Sequence, residues 1–336
     1  MTATYAMNWT SNLINVIPTA RGGVWDFTHA LAGELGASEQ ILTIDRGDAG
    51  ALSNAQGPAI LLHYSGYGYA KRGAPLWLVR SVSEHRACFG SLGVFFHELY
   101  AIRWPWSSAF WLSPVQQYVA RRLAEMADFW MTTCEKYSAW LIRQAGWKPH
   151  AVLPLSSTIG EPLALATERR PIVVVFGSSN LRSSAYQSAG ERLFSWAGEQ
   201  GLEIHDVGKE IREPAIAARM RRFGVIEHGF LAHSDASALL ATARYGIVKH
   251  RAAELAKSSI FAAYCAHGVC PIVYSRDYRC ADGLRPGRHY YPNLPAPEPP
   301  RFDSLQIGEA AWHWYGQHRL TQHGQTVATL LQEVGR

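Results

Sequence analysis

Residues 15–36 read NVIPTARGGVWDFTHALAGELG and decide how the fold begins. A short apolar run stops at Pro18, an arginine and two glycines follow, and a helix starts at once. Apolar side chains at helical spacing predict this helix, which Gly36 ends. They are Val24, Phe27, Leu31 and Leu35. A strand that passes into a helix through a glycine loop is the opening half of a βαβ unit.

The same alternation continues along the whole chain. In the first half, apolar runs typical of buried strands occupy residues 13–18, 41–45, 59–64, 93–100 and 129–133. A second series begins with PIVVVFGSS at residues 171–179 and continues with EIHDVG, GVIEHGFL, YGIVKH and CPIVYS. Two successive βαβ series predict an α/β fold with two Rossmann-like, doubly wound domains facing a cleft.

The domain boundaries are predicted from the point where the series restarts and from a proline-rich connector near residue 300. We expect an N-terminal domain over residues 1–165, a C-terminal domain over 166–305, and closing helices over 306–336 that pack back toward the N-terminal domain. Serines predict three helix N-caps, because a serine oxygen accepts a hydrogen bond from an N–H group of the first turn. These are Ser113, Ser234 and Ser258.

Composition narrows the class of protein. The 336 residues carry a net charge of +5, with 48% hydrophobic and 18% charged residues, which is enough for two packed cores. No run of lysine and arginine marks a nucleic-acid-binding element. Five cysteines without a CxxC pair are read as reduced thiols of a cytoplasmic protein, with no metal site. The first twelve residues do not resemble a signal peptide, and no apolar run is long enough to span a membrane.

In open parallel sheets, ligands bind beyond the carboxyl ends of the strands, so the residues there are the candidates. Gly22 and Gly23 follow the first strand, behind Arg21. Glycine lets a backbone approach a ligand closely, and the helix N-terminus behind it suits an anion. A tight turn that merely needs glycine is the alternative. The pattern GxGxxG is absent, which argues against a nicotinamide cofactor.

Two further strand ends in the first half carry polar groups. His63 and Tyr64 end one apolar run, and His97 and Glu98 end another. Burial near a strand end changes the pKa of such groups, as acid–base or orienting roles require, although a structural His–Glu contact explains the pair equally well. An aromatic patch with a basic residue follows, suited to sugar stacking, a membrane interface or plain core. It includes Arg103, Trp104 and Trp106.

The second half offers two anion sites. Gly177 and Ser178 form a loop after the strongest strand, with Arg182 behind them. Lys249 ends a later strand, and a helix N-terminus follows at Lys257, Ser258 and Ser259. Backbone N–H groups with arginine or lysine beside them can hold phosphate. Two anion sites, one on each side of a cleft, suggest a diphosphate bound between the domains.

These motifs, in this order, resemble the GT-B glycosyltransferases, and in particular glycosyltransferase family 4-like proteins. The resemblance rests on GGVWDFTHALAGELG, FFHELY, FGSSNLR, SDASALLATARYGIV and KSSIFAAYCAHGVCPIV, which together span nearly the whole chain. The chain departs from the family at its usual pair of glutamates, because those positions fall on Leu255 and Ala263. Glu254 is one residue away. This departure indicates a divergent branch.

The resemblance implies a hexosyltransferase of polysaccharide biosynthesis that moves a sugar from a nucleotide-diphosphate donor to a saccharide or lipid-linked acceptor. It implies a retaining, metal-independent reaction with no cofactor beyond the nucleotide sugar. The N-terminal domain would bind the acceptor and the C-terminal domain the donor. No nucleic-acid partner is expected, and the aromatic patch permits peripheral membrane contact.

The implied site residues fall into three groups. The catalytic group is His97, Glu98, Arg182 and Lys257. The donor-binding group is Gly22, Gly23, Gly177, Ser178, His228, Lys249, Glu254, Ser258 and Ser259. The acceptor-binding group is His63, Tyr64, Arg103, Trp104 and Trp106. Two alternatives stay open: a sugar-nucleotide epimerase of the same fold, and a non-catalytic protein that binds a sugar nucleotide. The missing glutamate pair favours the second, and the basic residues kept at each phosphate position disfavour it.

Overall fold

The computed structural model describes residues 13–36, 40–46, 49–55, 57–100, 108–293 and 303–335. The chain divides into two compact units. The first unit comprises Met1–Leu153 and Leu320–Arg336, and the second comprises Pro154–Arg319. The sequence predicts boundaries after residues 165 and 305. In the structure the chain passes into the second unit at Pro154 and leaves it after Arg319. Only the last helix, not both closing helices, belongs to the first unit.

Each unit contains one parallel sheet of six strands. The first sheet has the order β2-β1-β3-β4-β5-β6 and is built from β1 (Leu13–Pro18), β2 (Ile41–Ile44), β3 (Gly57–Tyr64), β4 (Phe89–Phe96), β5 (Phe129–Thr132) and β6 (His150–Val152). The second has the order β12-β11-β10-β7-β8-β9 and is built from β7 (Arg170–Phe176), β8 (Glu203–Val207), β9 (Ile226–Glu227), β10 (Ala243–Lys249), β11 (Cys270–Tyr274) and β12 (Tyr291–Pro292).

Helices cover these sheets. Those of the first unit are α1 (Gly23–Glu34), α2 (Gly66–Tyr69), α3 (Leu76–His85), α4 (Ser108–Met126), α5 (Glu135–Ala145) and, far along the chain, α12 (Leu320–Val334). Those of the second are α6 (Ser179–Ala189), α7 (Arg192–Glu199), α8 (Pro214–Arg222), α9 (His233–Thr242), α10 (Ser259–Ala266) and α11 (Ser304–Tyr315). Short 3₁₀ helices lie at Ala49–Asn54, Arg86–Cys88, Ala252–Lys257 and Gly316–His318. The predicted α/β class with two Rossmann-like domains is confirmed.

The core of the second unit shows why its strands are continuous apolar runs. Residues Ile172 to Val175 of β7 are at most 1% exposed, because helices lie on both faces of the sheet. Tyr264 of α10 is fully buried beside them. Its hydroxyl shares its one proton between the carbonyl oxygens of Val174 and Ile247, both 3.1 Å away, and accepts from the N–H of Phe176. A buried hydroxyl must be satisfied in this way, and here it ties α10 to two strands.

The predicted N-caps have different outcomes. Ser258 caps α10, with its Oγ accepting from the N–H of Phe261 at 3.2 Å. The prediction at Ser113 is wrong, because α4 already begins at Ser108 and holds Pro114 inside it. The prediction at Ser234 is wrong as well, since Ala232 is the cap of α9. In both cases helix-compatible residues precede the serine and extend the helix toward its N-terminus.

Candidate functional site

Each sheet has one point where the strand order reverses, and several of the candidate residues follow the strands there. In the second sheet β7 lies between β8 and β10, so successive strands are laid down first to one side of β7 and then to the other. The carboxyl ends of β7 and β10 therefore flank the crevice in which such sheets bind ligands. Gly177 and Ser178 follow β7, and Lys249 ends β10. These three residues, which were selected from the sequence, therefore lie at the switch point.

The N-terminus of α10 lies against the same loop. Gly177 has a φ of +126°, and a Cβ atom built there would lie 2.6 Å from Cδ1 of Ile260, in the first turn of α10. Glycine is thus required by both backbone and packing at this position. The first N–H groups of a helix have no intrahelical partner, and Ser258 satisfies only that of Phe261. The turn that begins at Ser259 carries positive potential beside the β7 loop.

Positive side chains outnumber negative ones around this turn. Glu254 is buried and accepts ion pairs from Lys257 Nζ at 3.4 Å and from Arg251 Nη1 at 3.6 Å. Burial and then the neighbouring Arg276 lower the pKa of Lys249. The sequence analysis did not select Arg276, although its position just after β11 was a usable signal. The predicted role of Glu254 toward a ribose stays a prediction, and its observed partners are the two basic residues.

Arg182 takes a different position from the one predicted. It lies on α6 with 1% of its surface exposed, and each nitrogen of its guanidinium has a partner within the second unit. Nε donates to the carbonyl of Gly177 at 2.9 Å, while the two terminal nitrogens contact the Asp206 carboxylate and the carbonyl of Lys209. Arg182 therefore holds the strand-end loops together, because its guanidinium is buried among these three partners.

The carboxylate of Asp206 completes this arrangement and was missed by the sequence analysis. It lies on β8, is 2% exposed, and also accepts from the hydroxyl of Tyr186 at 3.1 Å. Burial raises the pKa of Asp206 to about 6, while Arg182 and the Tyr186 hydrogen bond oppose that rise. An aspartate in an apolar strand could have been flagged, since a buried charge needs a partner.

His228 lies away from the switch point. It follows β9, the edge strand, which is separated from β10 by β7 and β8. Its Nε2 is 2.9 Å from Nδ1 of His205, whose own Nε2 is 3.2 Å from the Glu203 carboxylate. Burial and then His205 lower the pKa of His228. Contact of His228 with a nucleotide base stays a prediction.

Neither backbone conformation nor packing against described residues requires glycine at positions 22 and 23 of the first unit. Gly22 and Gly23 follow β1, at the switch point between β1 and β3, and both are exposed. A Cβ atom built at either position meets nothing within 4 Å. Gly22 has an extended backbone with φ 167°, which any residue can adopt. A tight turn that needs glycine is therefore not supported, and no described residue fills the space beside either glycine.

A buried row of hydrogen-bonded side chains connects Asn15 of β1, His63 of β3 and His97, which follows β4. His63 is 0% and His97 is 6% exposed. His63 Nε2 is 3.0 Å from Oδ1 of Asn15, and His63 Nδ1 is 3.2 Å from Nε2 of His97. An oxygen acceptor at Asn15 places the His63 proton on Nε2, so Nδ1 of His63 accepts from the Nε2–H of His97. This assignment is compatible with two neutral rings.

Burial keeps these imidazoles uncharged. It lowers the pKa of His97 to about 3, with His323 as a further cause, and it lowers that of His63 well below its usual value, with His97 contributing. His97 stacks on Phe95 with ring centroids 4.4 Å apart. His323 comes from α12 and packs against Phe27 at 5.2 Å. No local signal in the sequence connects His323 to the strand ends.

The predicted acceptor residues are placed as follows. His63 and Tyr64 are fully buried, so neither presents a surface to an acceptor. Glu98 is exposed, and its carboxylate accepts from the hydroxyl of Ser65 at 3.3 Å. The remaining predicted residues lie outside the described part of the chain. They are Arg103, Trp104 and Trp106.

Across the residues that the structure describes, no group of three or more His, Cys, Asp or Glu side chains could hold a metal ion. Within the same ranges, no helix has the length and apolar content needed to cross a membrane. The five cysteines form no disulfide, with Cys88 and Cys280 exposed and the other three buried.

Solved structures share this architecture. A chain of the GtfA/B complex superposes with a TM-score of 0.57 at 14% identity, over 86% of the present chain. Anabaena HepE in complex with UDP gives 0.56 at 13% identity, and AviGT4, a glycosyltransferase involved in avilamycin A biosynthesis, gives 0.54 at 10%. The chain has the GT-B fold. No family model matches the sequence, and no curated protein matches it.

The extent of the GT-B match differs among these structures. The chain spans 60% of the GtfA/B chain and 57% of the pneumococcal O-GlcNAc transferase GtfA. It spans 100% of HepE in its UDP complex and 98% of AviGT4. At 10–14% identity the likeness shows the fold, and membership of glycosyltransferase family 4 stays a prediction.

Proposed function

We propose that the protein is a glycosyltransferase that uses a nucleotide-diphosphate sugar. The observation that carries the proposal is the switch point of the second sheet. There the Gly177 loop, the Ser258-capped turn of α10 and basic side chains converge. A helix N-terminus with lysines beside it binds a diphosphate through N–H groups and charge, without needing a metal ion.

Uridine diphosphate is the donor nucleotide that we propose to test first. HepE was solved with UDP and with UDP-glucose, and pneumococcal GtfA was solved with UDP and GlcNAc. These ligands were found in those proteins, and for this chain they only guide the choice of the first nucleotide to test. The acceptor that we propose is a saccharide or a lipid-linked saccharide, and the transfer is proposed to retain the anomeric configuration.

The residues at the switch point would act by stabilising charge. As the bond between sugar and diphosphate breaks, negative charge develops on the leaving diphosphate. The ammonium groups of Lys249 and Lys257 and the N–H groups at Ser259 would lower the energy of that charge. Fixed donors do this well, because they need no reorganisation during the reaction. Arg182 contributes by holding the loop at Gly177.

Calorimetric titration with UDP, GDP, ADP and dTDP, each with and without magnesium, tests the proposal. We expect one nucleotide to bind tightly and equally well without magnesium. Transfer would then be followed with the matching sugar nucleotide. Absence of binding by every nucleotide would contradict the proposal. Binding without transfer or hydrolysis, across a panel of saccharide acceptors, would instead favour the non-catalytic alternative.

Replacing Lys257 by alanine is expected to weaken nucleotide binding by about 10- to 100-fold, the usual effect of removing one charge-assisted hydrogen bond. The same calorimetric titration measures it. Arg221→Ala is the matched control, since Arg221 is an exposed basic residue on α8 and its loss changes the net charge equally. Equal affinity in Lys257→Ala and Arg221→Ala would remove Lys257 from the site.

Replacing Gly23 by alanine is expected to lower transfer by about 100-fold, because a methyl group would displace a ligand by roughly 1 Å. The free energy of unfolding should stay constant or rise by up to about 1 kcal/mol, since Gly23 begins α1 and its Cβ meets nothing. Gly198→Ala on α7 is the control, because a Cβ there also meets nothing. If Gly23→Ala and Gly198→Ala transfer sugar equally fast, no ligand approaches Gly23.

A further inference from the structure

A pocket of about 630 Å³ lies in the second unit and shares no residue with the switch-point site. Residues of the loop over 283–289 form one wall, and residues of α11 together with Gln317 form the other. Its volume is within the usual range for small-molecule sites. The polar side chains that line it include Arg285, Arg288, His289, Gln306, Glu309 and His313.

His289 is the one of these side chains whose orientation and proton position the structure fixes. It is 6% exposed, and its Nδ1 accepts a hydrogen bond from the backbone N–H of Arg285 at 3.0 Å. Nδ1 therefore carries no proton, and the proton of the neutral ring is on Nε2. Among the described residues, the structure gives this Nε2–H no acceptor. The ring, which lines the pocket, thus offers this N–H as a donor to whatever occupies it.

The charge state of His289 follows from its surroundings. Burial, followed by the charges of Arg288 and Arg285, lowers its pKa to about 4. The ring is therefore neutral near pH 7, with the tautomer fixed. A neutral donor flanked by two cations is well suited to an anionic acceptor, because it adds a directed hydrogen bond without a further desolvated charge.

The charges on the pocket do not cancel. Arg285 and Arg288 are both exposed, and the structure gives neither an ion-pair partner among the residues it describes. The one carboxylate on the wall, Glu309, already lies 3.7 Å from Nε2 of His313. An arginine fork pairs with two oxygens of a phosphate or a carboxylate, and two forks beside one Nε2–H form a matching set of donors.

We propose that this pocket binds a small organic anion, namely a sugar-sized polyol that carries a phosphate monoester or a carboxylate group. The two guanidinium groups and His289 Nε2 hold the anionic group. The side-chain amide of Gln306 and the ring of His313, on the opposite wall, hydrogen-bond to hydroxyl groups. The site is separate from the proposed nucleotide site, so it goes beyond the proposed function and does not depend on it.

The test is calorimetric titration of the full chain with glucose 1-phosphate, with glucuronate, and with glucose as the neutral comparison. Each titration is run with and without saturating UDP, so that binding at the switch point is separated from binding at the pocket. We expect at least one of the two anions to bind whether or not UDP is present, and glucose not to bind. The anion that binds more tightly distinguishes phosphate from carboxylate.

Variants assign the binding to the pocket. Arg285→Ala combined with Arg288→Ala is expected to weaken anion binding by about 10-fold or more, because both charge-assisted contacts are lost. Both arginines are exposed, so this variant should fold. Arg221→Ala should bind as the unmodified chain does. His289→Gln keeps a donor amide and is expected to retain part of the affinity. The proposal is overturned if neither anion binds, or if the double variant binds as tightly as Arg221→Ala.

Discussion

Replacing Arg182 by alanine is expected to destabilise the second unit by about 3–5 kcal/mol, since it leaves a buried carboxylate without its counter-charge. Asp206 is 2% exposed and keeps only the Tyr186 hydroxyl as a partner in that variant. The carbonyl groups of Gly177 and Lys209 lose their guanidinium donors at the same time. Urea unfolding at about pH 7 measures the loss.

A double replacement separates the ion pair from the ligand. Arg182→Met with Asp206→Leu removes both charges, and such pairs of apolar residues often restore most of the stability lost in the single variant. We expect the double variant to unfold near the midpoint of the unmodified chain and to bind UDP more weakly, because the Gly177 loop is no longer held. A single Arg182→Ala variant that keeps its full stability but no longer binds UDP would instead support the direct diphosphate contact predicted from the sequence.

The fold was predictable because the strongest signals in this chain are local. β7 is a continuous apolar run, which indicates a strand buried on both faces, and the prediction for β1 matches the structure from Leu13 to Pro18. Helix starts were less predictable. Ser258 has an extended backbone and is a cap, whereas Ser113 and Ser234 are not, because α4 and α9 already begin before these two serines.

The site was predictable as a set of positions but not as a set of orientations. Parallel strands end at a common edge, so the residues after β7 and β10 could be chosen from the sequence. Which way a side chain points depends on partners that lie elsewhere in the chain. Arg182 faces Asp206 on the next strand, and His97 lies near His323 of the last helix. The sequence around Asp206 indicates only that a buried charge needs some partner, and His323 has no local signal at all, so the buried roles of Arg182 and His97 emerged only from the packing.

The free energy of unfolding is expected to fall steeply as the pH is lowered from about 6.5 toward 4, because of His63 and His97. Burial lowers the pKa of His97 to about 3 and that of His63 well below its usual value. In the unfolded chain both titrate near 6.5, so between these values the unfolded state binds more protons than the folded state. Stability then rises with pH, by up to about 1.4 kcal/mol per pH unit for each residue.

A comparison of variants isolates this contribution. Asp206 acts in the opposite direction, because a raised carboxyl pKa of about 6 lets the folded state bind the extra proton between about 4 and 6. Urea unfolding at about pH 7, 6 and 5 is therefore compared between the unmodified chain and His97→Asn. We expect the variant to have the shallower pH dependence. His29→Asn, at an exposed ring on α1, should leave the dependence unchanged. Equal slopes in His97→Asn and His29→Asn would contradict the prediction. They would mean that the packing of His97 against Phe95 and His63 does not lower its pKa in the folded chain.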